Sequence, residues 1–363
     1  MVRSPPMAVV KPFRAQRYDT AVAGDLSSLV APPYDVIDAA QREALRARSP
    51  YNVVHLTLPD AEEAATETYR GWVERGILVD ETPTVWALRQ EYVGPDGVAR
   101  TREGIVASLQ VEPYETRTVL PHERTHRGPK EGRLRLLRAT RVQLEPIFLL
   151  YDGPPAAAPP EREPDLQVEG ASLWRLDDPW AAVRAFDDKQ LLIADGHHRY
   201  ETAVAFAEEE GTPAAAQLLV VLVSTQDPGL EIFPTHRVFA EPRRFEGERT
   251  KVDDPEAALG ALEGDRAAVV EVTREAAHVV RGDPGALDVA LVDTLGHDGI
   301  SYTPDAVEAL RRVTAGEAAV AYLMRPTRIE DVFAVARRGE VMPQKSTYFF
   351  PKLISGLLFH PLG

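Results

Sequence analysis

The sequence predicts a mixed α/β protein: a compact α/β core elaborated with additional hairpin and helical lobes. Three observations carry that expectation. Residues 171–224 alternate between short apolar runs and stretches of helical period, the pattern of an α/β unit. Residues 84–92 and 99–111 carry alternating apolar side chains and flank P-D-G, a hairpin signal. A length of 363 residues exceeds the usual size of one domain, so more than one lobe is expected.

From the N-terminus, 5–19 and 29–37 read as short extended pieces joined by turns, and Ala39 to Arg48 as a helix. Tyr51 to Leu58 reads as a strand. Residues 61–76 read as a helix, because Ala65, Tyr69, Trp72 and Val73 share one face. After the hairpin, 127–141 is helical in its later part and Glu145 to Tyr151 returns as an apolar strand. Residues 152–165, rich in Pro, Ala and Glu, bury little surface and read as an exposed linker. Then come strand 171–176, helix 179–187, strand 190–194, helix 197–210 and strand 217–224. Beyond Pro234 the pattern weakens; polar residues 241–255 mark a second boundary, and helices are predicted at 286–295, 304–312 and 329–337. The predicted lobes are therefore 1–151, 166–240 and 241–363.

The composition removes many functions. There is no cysteine, which excludes disulfides, thiol nucleophiles, cysteine zinc sites and iron–sulfur clusters. No apolar run approaches the ~20 residues that span a bilayer, and the N-terminus lacks a secretion signal, so a cytoplasmic protein with no membrane partner is expected. A net charge of −15 disfavours nucleic acid as a partner. Within that acidic chain, 122–141 holds seven Arg or Lys against two Glu, which predicts a local anion pocket.

The densest chemistry lies at 189–200, K-Q-L-L-I-A-D-G-H-H-R-Y. An apolar strand turns at Gly196 into a helix, so His197, His198 and Arg199 fall in its first turn. Free amides and the positive end of the helix dipole favour a phosphate or carboxylate there, and Arg199 adds charge-assisted bonds. Asp195 reads as a helix cap or as a base.

Other stretches join this site on weaker grounds. His122 to His126 spell H-E-R-T-H, formally a zinc-protease signature, but Pro121 before it and Gly128-Pro129 after it deny both histidines one continuous helix, so no zinc is expected. Arg124, Arg127, Lys130 and Arg133 suit a phosphate better, with Glu123 as base or magnesium ligand; a solvated basic face is the alternative for Arg135, Arg138 and Arg141. P-T-H-R at 234–237 offers His236 and Arg237 as ligand contacts or rim salt bridges. A-P-P-Y-D at 31–35 holds Tyr34 and Asp35 on a rigid loop suited to substrate binding or to a strand edge. Near the C-terminus, Lys345, Ser346, Thr347, Tyr348 and Lys352 either close an anion site or sit at the rim of a docked segment. No P-loop, Rossmann G-x-G-x-x-G or G-x-S-x-G occurs, so the anion must be held differently.

Taken together, P-F-R-A at 12–15, A-P-P-Y-D, H-E-R-T with P-K at 122–130, D-G-H-H-R-Y-E-T-A at 195–203, P-T-H-R and M-P-Q-K-S-T-Y-F-F-P-K-L at 342–353 resemble the family called domain of unknown function 1015. Over about residues 170–225 the D-G-H-H-R element also resembles the phosphate-gripping motif of the ParB/sulfiredoxin superfamily, which implies a ParB/sulfiredoxin-like core at 166–240. Sulfiredoxins carry a cysteine where this chain has His197, so cysteine-sulfinate repair is not implied. Free-serine kinases of that superfamily carry a similar motif, and members of the 1015 family are often encoded beside serine-biosynthesis enzymes.

The resemblance implies a phosphoryl-transfer enzyme on a small metabolite, serine or phosphoserine, with magnesium and a nucleotide such as ATP or ADP. In that expectation Gly196, His197, His198 and Arg199 hold phosphate oxygens. Asp195 or Glu123 acts as base or metal ligand, Lys130 and His122 stabilise transferred charge, and Lys345 and Ser346 close the site. A non-catalytic, ParB-like nucleotide-binding regulatory protein is the alternative, and a phosphatase or pyrophosphate-dependent enzyme using the same anion site is a third.

Overall fold

A computed structural model describes residues 7–124, 127–264 and 266–363, without the side chains of 127–129. It is a mixed α/β structure with eleven α-helices among the described residues. The chain divides into two compact units, one of residues 1–92, 99–230 and 351–363, the other of 93–98 and 231–350.

The first unit is built on a nine-stranded mixed sheet. Its strands run Val119–Leu120, Leu191–Asp195, Ile147–Tyr151, Gln217–Ser224, Ala99–Gln110, Trp86–Val93, Ala171–Arg175 and Leu166–Val168, with Val10–Lys11 beside Ala99–Gln110. Two pairings are parallel: Leu191–Asp195 with Val119–Leu120, and Gln217–Ser224 with Ile147–Tyr151. Leu191–Asp195 and Ile147–Tyr151 run antiparallel, with a register shift between Ile193 and Asp195. That irregularity stands where the strand gives way to Gly196, and it re-aims the chain toward the following helix.

The central strands read as unbroken apolar runs because both their faces are covered. On one face Ile147, Leu149, Leu191, Ile193, Leu218, Val220 and Leu222 pack with Tyr200 and Ala203 of the helix His197–Glu210, all without solvent exposure. The other face, with Leu88, Val106, Leu219 and Val221, borders an apolar cavity of about 20 Å³ that Leu353, Leu357 and Leu358 of the C-terminal segment close. That segment is tied by strand pairing of His360–Pro361 with Val142–Gln143 and by a two-way bridge between Ser355 and Ala31.

Several predicted elements stand where expected. Helices cover Ala39–Arg48, Glu62–Glu74, Arg127–Thr140 and His197–Glu210, and the hairpin strands flank a turn at Gly94–Gly97. One expectation is corrected. Residues 51–58 do not form a strand; Val54–Thr57 is a single helical turn. Asn52 overrides the apolar alternation, because its Oδ1 accepts from the Val54 N–H at 3.0 Å while its Nδ2 donates to the carbonyls of Ser28 and Val30. The stretch 152–165 contains no regular element but is anchored, since the Trp174 indole donates to the Arg162 carbonyl at 2.7 Å.

The second unit carries a six-stranded antiparallel sheet in the order Glu248–Val252, Ala277–Pro284, Arg266–Val272, Val320–Leu323, His236–Phe239 and Ile300–Thr303. Val238, Val270, Ala321 and Leu323 pack there with Ala309 and Val313 of the helix Ala306–Ala315. The predicted helices appear at Asp288–Asp293, Ala306–Ala315 and Ile329–Arg337. The units cut the chain differently from the three predicted lobes, because Gln217–Ser224 lies between Ile147–Tyr151 and Ala99–Gln110 in one sheet. The stretch between residues 151 and 166 is therefore no domain boundary, and 351–363 belongs with the first unit rather than with 241–350.

Candidate functional site

The candidate site begins where Leu191–Asp195 ends. Gly196 adopts φ 101° and ψ 27°, and a β-carbon there would lie 2.7 Å from Ile147 Cγ2. Both the backbone angle and the space therefore demand glycine. The helix His197–Glu210 starts on this residue with no side-chain cap, and Gly211 closes it in the left-handed region.

Asp195 is the electrostatic centre. Its Oδ2 accepts from Arg199 Nη2 at 3.0 Å, and its Oδ1 is paired with Lys352 Nζ. Burial pushes the carboxyl up, but Lys352 and Arg199 together outweigh it and hold it down at about 2. It is therefore an ionised anchor and a weak base. Arg199 also turns inward, donating to the Pro146 carbonyl. Burial works against its charge, yet Glu145, Asp195, Asp35 and Tyr34 leave it more strongly protonated than an ordinary arginine.

Two histidines pack beside Asp195, their rings 4.7 Å apart and edge-on. His122 Nδ1 lies 2.7 Å from the Ile193 carbonyl, so Nδ1 carries the proton and Nε2 the lone pair; the His122 amide donates to His197 Nε2 at 3.2 Å. Burial drives the His122 imidazole down to about 4 and His197 well below its ordinary value, with His122 adding to the effect on His197. Both are neutral at physiological pH. His198 is half-buried, and its carbonyl accepts from Thr202 Oγ1 at 2.7 Å.

The A-P-P-Y-D loop does reach this centre. The Tyr34 amide donates to Glu145 Oε1 at 3.0 Å, and Ser355 Oγ donates to the same oxygen at 2.8 Å. Arg133 stacks over the Tyr34 ring, 4.1 Å from its centroid, and donates to the Thr57 carbonyl. Burial raises the Tyr34 phenol, while Arg199 and Arg133 oppose the rise. Beside Glu145, Arg199, Arg133 and Thr202 lies a cavity of about 40 Å³.

The basic run of 122–141 is less available than its charge implies. Lys130 pairs with Glu201 at 3.1 Å, Arg135 with Glu62, Arg138 with Glu209 and Arg141 with Glu210. Glu123 is half-buried and Arg124 exposed. His126 and the Arg127 side chain lie outside the described residues. In the second unit, Arg237 donates to the Gln344 carbonyl at 3.1 Å, and Glu231–Phe233 pairs with Tyr348–Phe350, so P-T-H-R and Q-K-S-T are brought together there. His236 and Arg237 are buried, and burial lowers both, His236 to about 4. The His236 ring accepts from the Met324 amide; Ser346 Oγ donates to the Pro343 carbonyl, and Lys345 has φ 56°.

Glu145 is the member that site reasoning from sequence left out, and Lys352 was named only within a second anion contact of the C-terminal segment. Lys352 was visible only as one charge in the C-terminal segment, and no local period connects it to Asp195. Among the described residues, no group of three or more His, Asp or Glu is placed to hold a metal ion. Asp195, with one oxygen on Lys352 and the other on Arg199, does not fit a magnesium ligand in this arrangement. No helix among the described residues is long and apolar enough to cross a membrane.

Fold and site define a mixed α/β protein with a charged cluster where a sheet strand meets a helix N-terminus. The chain belongs to the family described as "Protein of unknown function (DUF1015)", which matches residues 10–258. No curated protein matches the sequence. Among solved structures, it is similar to a free serine kinase in complex with AMP, at 17% identity over 66% of this chain and 89% of that one, TM-score 0.38. It is also similar to a conserved hypothetical protein from Pyrococcus furiosus, at 16% identity over 66% and 92%, TM-score 0.35. A third is SbnI with C-terminal truncation from Staphylococcus aureus, at 12% identity over 69% and 86%, TM-score 0.39. Scores this low carry no activity over to this chain.

Proposed function

We propose that the first unit binds a phosphate-bearing small molecule at the start of the helix His197–Glu210 and transfers its phosphoryl group to a metabolite hydroxyl, with free serine as the acceptor and a nucleotide as the donor. The observation that carries the reading is ionised Asp195, held between Lys352 and Arg199 beside a glycine turn into a helix without a side-chain cap. Phosphoryl transfer asks chiefly for positioning and charge neutralisation, which this cluster offers. The ParB/sulfiredoxin-like character of D-G-H-H-R and the serine assignment are parts of the same proposal.

Gly196, His197 and His198 present the helix start to phosphate oxygens, while Arg199, turned inward, sets Asp195 and contributes its field. Tyr34 and Asp35 flank the acceptor. In the transfer, the bond from phosphorus to the donor's bridging oxygen breaks, a bond to the acceptor oxygen forms, and the hydroxyl proton leaves. Paired Asp195 is too weak a base to take that proton; Glu123, His122 through Nε2 and His198 are the candidates. Lys130 and Arg124 supply charge from the preceding segment. Magnesium would neutralise charge on the donor phosphates.

The test is phosphorus NMR of the purified protein with magnesium, serine or phosphoserine, and a panel of ATP, ADP, CTP and pyrophosphate. New phosphoserine formed from serine and a donor is expected; orthophosphate drawn from phosphoserine would replace the transfer reading by a phosphatase. Line broadening of a nucleotide without a new signal would replace the enzyme by a nucleotide-binding regulatory protein, a reading favoured by the pairing of Asp195 with two cations and the burial of His122 and His197. Spectra unchanged for every compound would overturn both.

A further inference from the structure

Lys352 contacts Asp195 directly, whereas Arg133 stacks over Tyr34 and donates to the Thr57 carbonyl. Arg199 is committed twice, to Asp195 and to the Pro146 carbonyl, and its side chain is 10% exposed. Lys130, Arg135, Arg138 and Arg141 are paired with glutamates. The Lys352 side chain is 27% exposed, and among the described residues its partner is Asp195 Oδ1. An ammonium has three N–H donors, so this contact leaves capacity for an incoming anion.

The backbone carrying Lys352 is fixed on both sides. Just before it, the Pro351 carbonyl accepts from Arg102 Nη2 at 2.8 Å, and Arg102 is fully buried over the Phe148 ring. Just after it, Ser355 exchanges backbone hydrogen bonds with Ala31 at 3.2 and 2.9 Å and donates its hydroxyl to Glu145. The lysine stem thus starts from a set point, while its head group is held by one oxygen.

The charges around this head group also decide what it can meet. Asp195 carries one negative charge against Lys352 and Arg199, and the two neighbouring histidines are neutral. With both histidines neutral, Lys352 is the cation on Asp195 Oδ1 and Arg199 the one on Oδ2, and the helix dipole adds a positive sign at its start.

We propose that Lys352 is the ligand-binding cation of this site: its ammonium bridges Asp195 to the terminal phosphate oxygens of a pyrophosphate-containing ligand seated at the start of the helix His197–Glu210. The inference rests on the phosphate-site reading above and adds the residue that the C-terminal segment delivers to it. Binding forms hydrogen bonds and breaks no covalent bond. It also gives the return of residues 351–363 to the first unit a function besides covering the sheet.

The test titrates inorganic pyrophosphate and ADP into the wild-type protein, K352R and K352Q, by calorimetry and phosphorus NMR, with thermal melting of each. Glutamine keeps an N–H donor for Asp195 and loses the charge. Wild type is expected to bind, K352Q to bind about ten-fold or more weakly with a near-native melt, and K352R to recover most of the loss. Wild type that binds neither probe overturns the phosphate-site reading itself. Wild type that binds while K352Q binds equally well overturns only the role of Lys352. If K352Q fails to fold, wild type with ¹³C-dimethylated lysines decides: the Lys352 methyl resonance, identified by its loss in K352R, must shift on adding pyrophosphate, and a stationary resonance rejects the proposal.

Discussion

Replacing Gly196 by alanine separates two physical reasons for that glycine. At φ 101° a side chain is strained, by about 1–2 kcal/mol for a left-handed backbone. The new β-carbon would also meet Ile147 at 2.7 and 2.9 Å, and Ile147 is fully buried in the sheet, so the clash is relieved only by moving a core residue, at about 1–3 kcal/mol. Gly196→Ala should therefore destabilise the first unit by roughly 2–5 kcal/mol. Gly211 at the other end of the same helix provides the control: its φ is 62°, with nothing within 4 Å of a β-carbon, so Gly211→Ala carries only the backbone strain. Urea unfolding followed by far-UV circular dichroism measures both. Equal losses in the two variants would refute the claim that close packing against Ile147, and not backbone angle alone, fixes this position.

Further outcomes follow from the charges. His122 and His360 are each held near 4 against an ordinary 6.5 by burial, so the unfolded chain takes up their protons first; stability should fall as pH drops from about 6.5 toward 4, by roughly 3 kcal/mol for each. His360→Gln, assayed by denaturation across that range, should flatten the slope, and an unchanged slope would clear this residue. Asp195 has the opposite origin but the same sense: its lowered value means stability present above its ordinary value of 3.8 and lost as pH falls from there toward 2, which Asp195→Asn should abolish in acid titrations. Arg138→Ala breaks an exposed pair with Glu209 and should leave both the melting temperature and ligand affinity essentially unaltered. A large loss of phosphate binding in that variant would restore the basic face as a ligand contact.

Much of the site was legible because its signals are local. The helix 197–210 and the strand 217–224 have the predicted limits, and D-G-H-H-R compresses a strand end, a turn and a helix start into five residues. The partners were not legible, since they arrive from afar: Lys352 is 157 residues from Asp195, and Glu145 meets Ser355 across 210. The basic run at 122–141 looked like an anion pocket because its acidic partners, Glu62, Glu201, Glu209 and Glu210, are invisible to a count within the run. Val54–Thr57 misled for a different reason. Its buried V-V-H-L-T-L pattern satisfies strand alternation, and only the hydrogen bonds of Asn52 decide for a helical turn. In the second unit, strands such as Arg266–Val272 gain their stability from neighbours distant in the chain, so no single stretch announced the sheet.

The return of residues 351–363 to the first unit also sets an order of events during synthesis. Translation delivers the strands from Val10–Lys11 to Gln217–Ser224 first, then the whole of 231–350, and only then the segment carrying Lys352, Leu358 and Phe359. A nascent first unit therefore waits with one sheet face uncovered and Asp195 lacking its ammonium partner while more than a hundred residues leave the ribosome. During that interval its apolar strands are open to chaperones and to other chains, and the charged cluster is completed only after translation has passed residue 352.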